Sequence, residues 1–201
     1  MRSKYIDHGT VEKLRSAIGA FRWLPLRISL ETGLRIGDVL TLRHGQIRKR
    51  NGKPEIRATA AKTGKTGNFP VSEALFQRLR ALPGSKNKQM FVFPSYGKTG
   101  HLTRQAAWAR MKRAADELGI SPDGISPHSL RKCFAVALMH ERGLEAVQSA
   151  LQHQNDAVTR VYAYSDTIMR FDSDAPVRWR DVELIVDYII SRIHEKEKNL
   201  K

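Results

Sequence analysis

The chain has 201 residues, 41% hydrophobic and 27% charged, enough for one generous globular domain and unlike a disordered or fibrous chain. Its 35 Lys and Arg against 20 Asp and Glu leave a charge of +15, which points to a polyanionic partner, nucleic acid first. A lone cysteine, Cys133, excludes an internal disulfide or a thiolate zinc cluster, and no apolar run or leader marks the chain for a membrane or for secretion, so a cytoplasmic protein is expected.

Along the chain the patterns are mostly helical. Val11, Leu14, Ile18 and Phe21 recur near the 3.6-residue period, and an apolar run over residues 24–30 ends near Thr32-Gly33. A second helix is expected from Gly33 to about Arg43, with Leu34, Val39, Leu40 and Leu42 facing the core. The period then changes. Asn51-Gly52 signals a hairpin, and residues 55–60 and 68–71 are short enough for strands. Between them Lys62-Thr63-Gly64-Lys65-Thr66-Gly67 makes a glycine-bearing tip. A helix from Ser72 carries Leu75, Phe76 and Leu79, a connector covers residues 83–89, and a helix over 106–118 stops at Gly119. Ser126-Pro127 starts another helix, serine as N-cap and proline in the first turn, running from His128 to about Arg142 and stopping at Gly143. Further helices are expected over 144–151, from Asp156 past Tyr162, and after Asp181 to about residue 198. The pattern is that of an α+β fold, mainly α-helical with a small antiparallel β-sheet. One domain over 1–201 is expected, with its globular core at about 10–165.

The charge is uneven. Residues 1–100 hold 20 basic and 6 acidic side chains, residues 101–201 hold 15 and 14, and residues 35–70 hold nine and two. The first half would therefore grip duplex phosphate, with affinity falling steeply in salt.

Two segments, Gly64-Lys65-Thr66 and Gly97-Lys98-Thr99, look like the end of a phosphate-binding P-loop. Thr59 and Val92 stand where its first glycine must be, so that reading fails. His128, Cys133, His140 and His153 are too loosely spaced for a zinc site, and no metal or cofactor is expected. The constructive signals lie elsewhere. His128-Ser129-Leu130-Arg131 sets an imidazole and a guanidinium on one face of a helix's first turn, where the dipole favours an anion. Arg35 stands at another apparent helix start, with Asp38 three residues on. His153 precedes Tyr162 by nine residues, with a helix start between them.

In order and spacing these residues resemble the catalytic domain of the tyrosine recombinases, the phage integrase family. The resemblance is carried by Thr32-Gly33-Leu34-Arg35-Ile36-Gly37-Asp38-Val39-Leu40-Thr41-Leu42-Arg43, by Lys62 in the hairpin, by His128-x-x-Arg131, and by Leu151-Gln152-His153 followed by Tyr162. It departs from the family at Gln152, usually glycine, and at Lys132, often histidine. The resemblance implies a site-specific DNA recombinase that cleaves and rejoins strands by transesterification through a 3′-phosphotyrosyl intermediate, without metal or ATP. Tyr162 would attack phosphorus, and Arg35 and Arg131 would clamp the non-bridging oxygens, where planar guanidinium forks suit the developing charge. Lys62 would protonate the departing 5′-oxygen, His128 would accept the tyrosine's proton or hydrogen-bond the phosphate, His153 would donate a further bond, and Asp38 would hold the local geometry or a neighbouring histidine.

Arg43, Lys65 and Lys132 are expected on DNA, and Lys65 is also a rival to Lys62 on the same tip. Tyr164, two residues beyond Tyr162, lies roughly 200° away around a helix and cannot serve the same site. Double-stranded DNA is the implied partner, with self-association on it up to a tetrameric synapse to which the helix after Asp181 could contribute by subunit docking. No separate N-terminal core-binding domain is expected in this chain. Two other readings compete: a non-catalytic helix-turn-helix-like regulator, and a topoisomerase IB-like enzyme that only relaxes DNA.

Overall fold

The computed structural model describes residue 3 and residues 5–151. The chain divides into two compact units, Met1–Phe134 and Ala135–Lys201; nearly all the described elements lie in the first. The sequence by itself predicts a single domain over 1–201.

Helix α1, His8–Ile18, is capped by Asp7, whose carboxylate accepts from the Thr10 N–H at 2.9 Å, and it buries Val11, Leu14 and Ile18. Gly19, at φ +81, ends it, and the chain restarts as α2, Ala20–Thr32. This break takes Phe21 off the stripe its spacing suggested: it is 66% exposed. The opposite sides of α2 serve two cores. Leu24 and Ile28 pack into one, and Trp23 and Leu26 into the other.

The helix expected from Gly33 to Arg43 is much shorter. α3 covers only Ile36–Leu40. Thr41 Oγ1 donates back to the Asp38 carbonyl at 3.0 Å, and the Leu42 carbonyl is taken by the Val92 N–H at 2.8 Å. A distant segment thus claims the backbone that a longer helix would need. Leu34, Val39, Leu40 and Leu42 are nevertheless all buried.

A 3-10 turn, His44–Gln46, leads into β1, Ile47–Arg50, then β2, Lys53–Thr59, and β3, Thr66–Pro70. They form an antiparallel sheet in the order β1-β2-β3. Asn51 and Gly52 both take positive φ, as a two-residue hairpin turn requires. The register aligns Ile47 with Ile56 and Ile56 with Phe69, placing one apolar row against Leu75, Phe76 and Leu79 of α4, Glu73–Arg80.

α5, Arg104–Glu117, starts two residues before the expected position, capped by Thr103, and ends at Gly119, φ +66. With α1, one side of α2 and Leu130 it encloses the second core around Leu14, Leu26 and Met111. α6 runs unbroken over Pro127–Leu151, so the expected stop at Gly143 and separate helix over 144–151 are corrected. An interior glycine costs only about 1 kcal/mol relative to alanine, which the helix-forming residues on both sides outweigh. The helices expected from Asp156 and after Asp181 lie outside the described residues.

Candidate active site

Within the first unit a cleft of about 680 Å³ is lined by Arg35, Asp38, Lys62, His128 and Arg131, together with Thr99, His101 and Arg104. Five of the residues singled out from the sequence therefore meet, brought together from α3, the β2–β3 tip and the first turns of α6.

Arg131 is anchored on the turn that precedes Arg35. Gly33 closes α2 in the left-handed conformation, φ +68, its N–H donating to the Ser29 carbonyl at 2.9 Å. Buried Ser29 donates through Oγ to the Leu34 carbonyl at 2.7 Å, and the Leu34 N–H donates to Thr32 Oγ1 at 3.2 Å. This turn delivers half-buried Arg35 to the N-cap of α3. Arg131, only 5% exposed, donates to the carbonyl of Gly33 itself. One guanidinium thus holds the turn that presents the other, across 98 positions of sequence.

Asp38 is buried, and its Oδ1 accepts from the Ala61 N–H at 3.0 Å. Ala61 immediately precedes Lys62, so this carboxylate moors the hairpin tip. The tip is closed by the Ala60 N–H donating to the Lys65 carbonyl at 2.9 Å and the Gly64 N–H to the Ala60 carbonyl at 2.8 Å. Lys62 lines the cleft and Lys65 does not, although both are exposed. The other oxygen, Oδ2, is buried with no hydrogen-bond partner among the described residues.

His128 stands on the first turn of α6 and faces the cleft. Partial burial of its ring, and then the charges of Arg131, Lys132 and Arg35, hold its pKa below the ordinary imidazole value. The ring is therefore neutral at pH 7 and able to accept a proton or a hydrogen bond.

Two of the cations expected on DNA are engaged inside the protein. Lys132 Nζ donates to the Ser3 carbonyl, and Arg43 donates to the Gln89 carbonyl while its guanidinium lies 4.2 Å from the Phe91 ring centroid. Neither lines the cleft. Arg104, missed from the sequence, does. Arg104 passes close over Gly37, where a Cβ would stand 3.3 Å from its Cδ. The signal was available: Thr103 is an N-cap residue type directly before an arginine.

His153, Tyr162 and Tyr164 lie outside the described residues, as does Gln152. Among the described residues no three His, Cys, Asp or Glu side chains gather as metal ligands. No described helix is long and apolar enough to cross a membrane.

The chain has known relatives in sequence and in fold. The tyrosine recombinase XerD of Rhizobium meliloti is 33% identical over 138 residues, covering 66% of this chain and 43% of the relative. XerD of Vibrio cholerae is 30% identical over 178 residues, covering 82% and 58%. The chain thus spans about half the length of the curated relatives it matches. Among solved structures, the site-specific recombinase XerH bound to palindromic difH substrate, in a post-cleavage complex, superposes with a TM-score of 0.68 at 23% identity, over 88% of this chain and 54% of that one. XerA recombinase gives 0.66 at 17%, over 89% and 65%. These likenesses establish the fold as that of the tyrosine recombinase catalytic domain. The family model of the phage integrases matches residues 7–169, a stretch that includes the whole cleft and the segment carrying His153 and Tyr162. The chain belongs to the phage integrase family.

Proposed function

We propose that this chain is a site-specific DNA recombinase acting through a 3′-phosphotyrosyl intermediate. The observation that carries the reading is the convergence of Arg35 and Arg131 with Lys62 and His128 in one cleft, with Arg131 donating to the carbonyl of Gly33 in the turn just before Arg35. A scissile phosphate seated there would have its two non-bridging oxygens met by two guanidiniums, and their charge would stabilise the pentavalent transition state. The Tyr162 oxygen forms a bond to phosphorus as the bond to the 5′-oxygen breaks. The tyrosine proton passes to neutral His128, and Lys62 gives a proton to the departing 5′-oxygen. His153 adds a hydrogen bond to the phosphate. Rejoining is the same sequence in reverse, driven by the phosphotyrosyl bond, so it calls for neither ATP nor a metal.

Duplex DNA is the partner, with self-association on it up to a tetrameric synapse, and the cytoplasm is the compartment. A helix-turn-helix regulator has no use for two guanidiniums and a lysine converging in one cleft. Relaxation of DNA without exchange of partners would use the same cleft, and the relatives named recombinases favour exchange.

The test is supercoiled plasmid incubated with the wild type, Arg131→Ala and Tyr162→Phe and quenched with detergent. Relaxed plasmid and protein-linked DNA are expected from the wild type alone. An adduct formed normally by Tyr162→Phe would overturn the nucleophile.

A further inference from the structure

Next to the cleft, residues 94–101 fold back as a tight loop whose tip has no assigned role. Pro94 and His101 pair as an antiparallel bridge. The Ser95 N–H donates to the Gly100 carbonyl at 3.1 Å, the Gly100 N–H to the Gly97 carbonyl at 2.9 Å, and Thr99 Oγ1 to the His101 carbonyl at 2.8 Å. The stem is seated on Phe91: the His101 ring meets it edge-on with centroids 5.0 Å apart, and Gly100, at φ +69, backs onto it so closely that a Cβ would lie 3.6 Å from the ring. Backbone bonds and this aromatic seat fix the loop without help from its tip.

The tip is Tyr96-Gly97-Lys98, exposed throughout. Tyr96 is 111% exposed, more than any other large hydrophobic side chain among the described residues. A tyrosine ring has on the order of 150–250 Å² to bury, and here the folded protein covers none of it. The base of the same loop, at Thr99 and His101, lines the cleft with Arg35 and Arg131. The ring and the lysine therefore stand on the rim of a cationic, phosphate-binding cleft. On duplex DNA, whose base faces are already stacked, a tyrosine beside a lysine can pack independently of sequence on the backbone, the ring on a sugar and the ammonium on a phosphate.

We infer that the Tyr96-Gly97-Lys98 tip is a second DNA contact, in which Tyr96 packs on the nucleotide flanking the phosphate held in the cleft and Lys98 pairs with that nucleotide's own phosphate. The inference rests on the recombinase reading and deepens it by naming a contact outside the reacting groups. Its two halves have different signatures. The ring contributes contact area, so its loss lowers affinity at every salt concentration. The lysine contributes counterion release, so its loss flattens the dependence on salt.

The experiment measures equilibrium binding of a fluorescent duplex by the wild type, Tyr96→Ala, Tyr96→Phe and Lys98→Ala over a series of salt concentrations. In parallel, a photoreactive benzoylphenylalanine placed at position 96 is irradiated on the same duplex. Tyr96→Ala is expected to weaken binding about 5-fold or more with an unchanged salt slope. Tyr96→Phe should bind as the wild type, Lys98→Ala should lower the slope by about one, and position 96 should crosslink to DNA. If the wild type binds duplex while Tyr96→Ala binds equally well and position 96 yields no crosslink, the tip contact is refuted and the recombinase reading stands. A wild type that binds no duplex overturns both.

Discussion

Asp38 offers the sharpest test of how the cleft works, because it touches the hairpin backbone and not the phosphate. Asp38→Ala removes the acceptor that holds the Ala61 N–H at 3.0 Å. A hydrogen bond to a charged acceptor contributes about 1.5–3 kcal/mol. Ala61 is exposed, so water takes over the freed N–H and the fold survives; the loss falls on the position of Lys62, one residue on. Spent wholly on that position, the interaction corresponds to about 10- to 150-fold in cleavage rate at about 1.36 kcal/mol per decade.

The assay is single-turnover cleavage of a duplex whose preferred phosphate has first been mapped on plasmid, made with either a 5′-bridging oxygen or a 5′-bridging sulfur. The sulfur leaves as a thiolate and needs no proton. Asp38→Ala should therefore be slow on oxygen and close to the wild type on sulfur. Asp38→Asn, which keeps an acceptor for Ala61, should lose less. The double variant Asp38→Ala/Lys62→Ala should be no slower than Lys62→Ala alone, as expected of residues acting in series. Equal losses on oxygen and sulfur would refute the reasoning and place Asp38's effect on Arg35 or on the fold.

Three further outcomes are expected. On the oxygen substrate Lys65→Ala should cleave within a few-fold of the wild type while Lys62→Ala fails, since only Lys62 lines the cleft; the reverse order, read in the same cleavage assay, would exchange their roles. Gly33→Ala puts a side chain at φ +68, at a cost of about 1 kcal/mol in urea unfolding, and it disturbs the carbonyl that Arg131 holds; cleavage should fall by more than duplex affinity does, and equal losses would deny that anchor. Stability should decline as pH drops below about 6.5, the ordinary imidazole value. His44, by burial and then by the charge of Arg80, and His128 both have lowered pKa values. The unfolded chain therefore takes up protons that the folded one refuses, and the stabilisation present above pH 6.5 is lost through the window beneath it. Urea titrations at pH 7.5 and 5.5 that show equal stability, or more at pH 5.5, would contradict this.

Much of the chain was legible as sequence because its signals are local. Asp7, Ser72 and Thr103 cap helices from positions their chemistry favours, each side chain accepting from a backbone N–H three residues on. Asn51-Gly52 specifies a hairpin because both residues tolerate positive φ. The apolar spacing of Leu75, Phe76 and Leu79 names the buried face of α4. Arg35, Asp38, Lys62, His128 and Arg131 are legible in the sequence through their resemblance to the family pattern, and the structure lines one cleft with all five.

What the tertiary structure alone decided are the long-range meetings. Nothing near Leu42 announces that Val92 will take its carbonyl and end α3. Nothing in the charge pattern separates Lys62, which reaches the cleft, from Arg43 and Lys132, which are drawn to carbonyls of the protein itself. The anchoring of Arg131 on Gly33 and of Ala61 on Asp38 joins residues 98 and 23 positions apart. A sequence states which groups want partners within a turn or two of themselves. Whether each of several similar cations lines the cleft or turns away from it depends on which distant segments the packed cores bring within its reach.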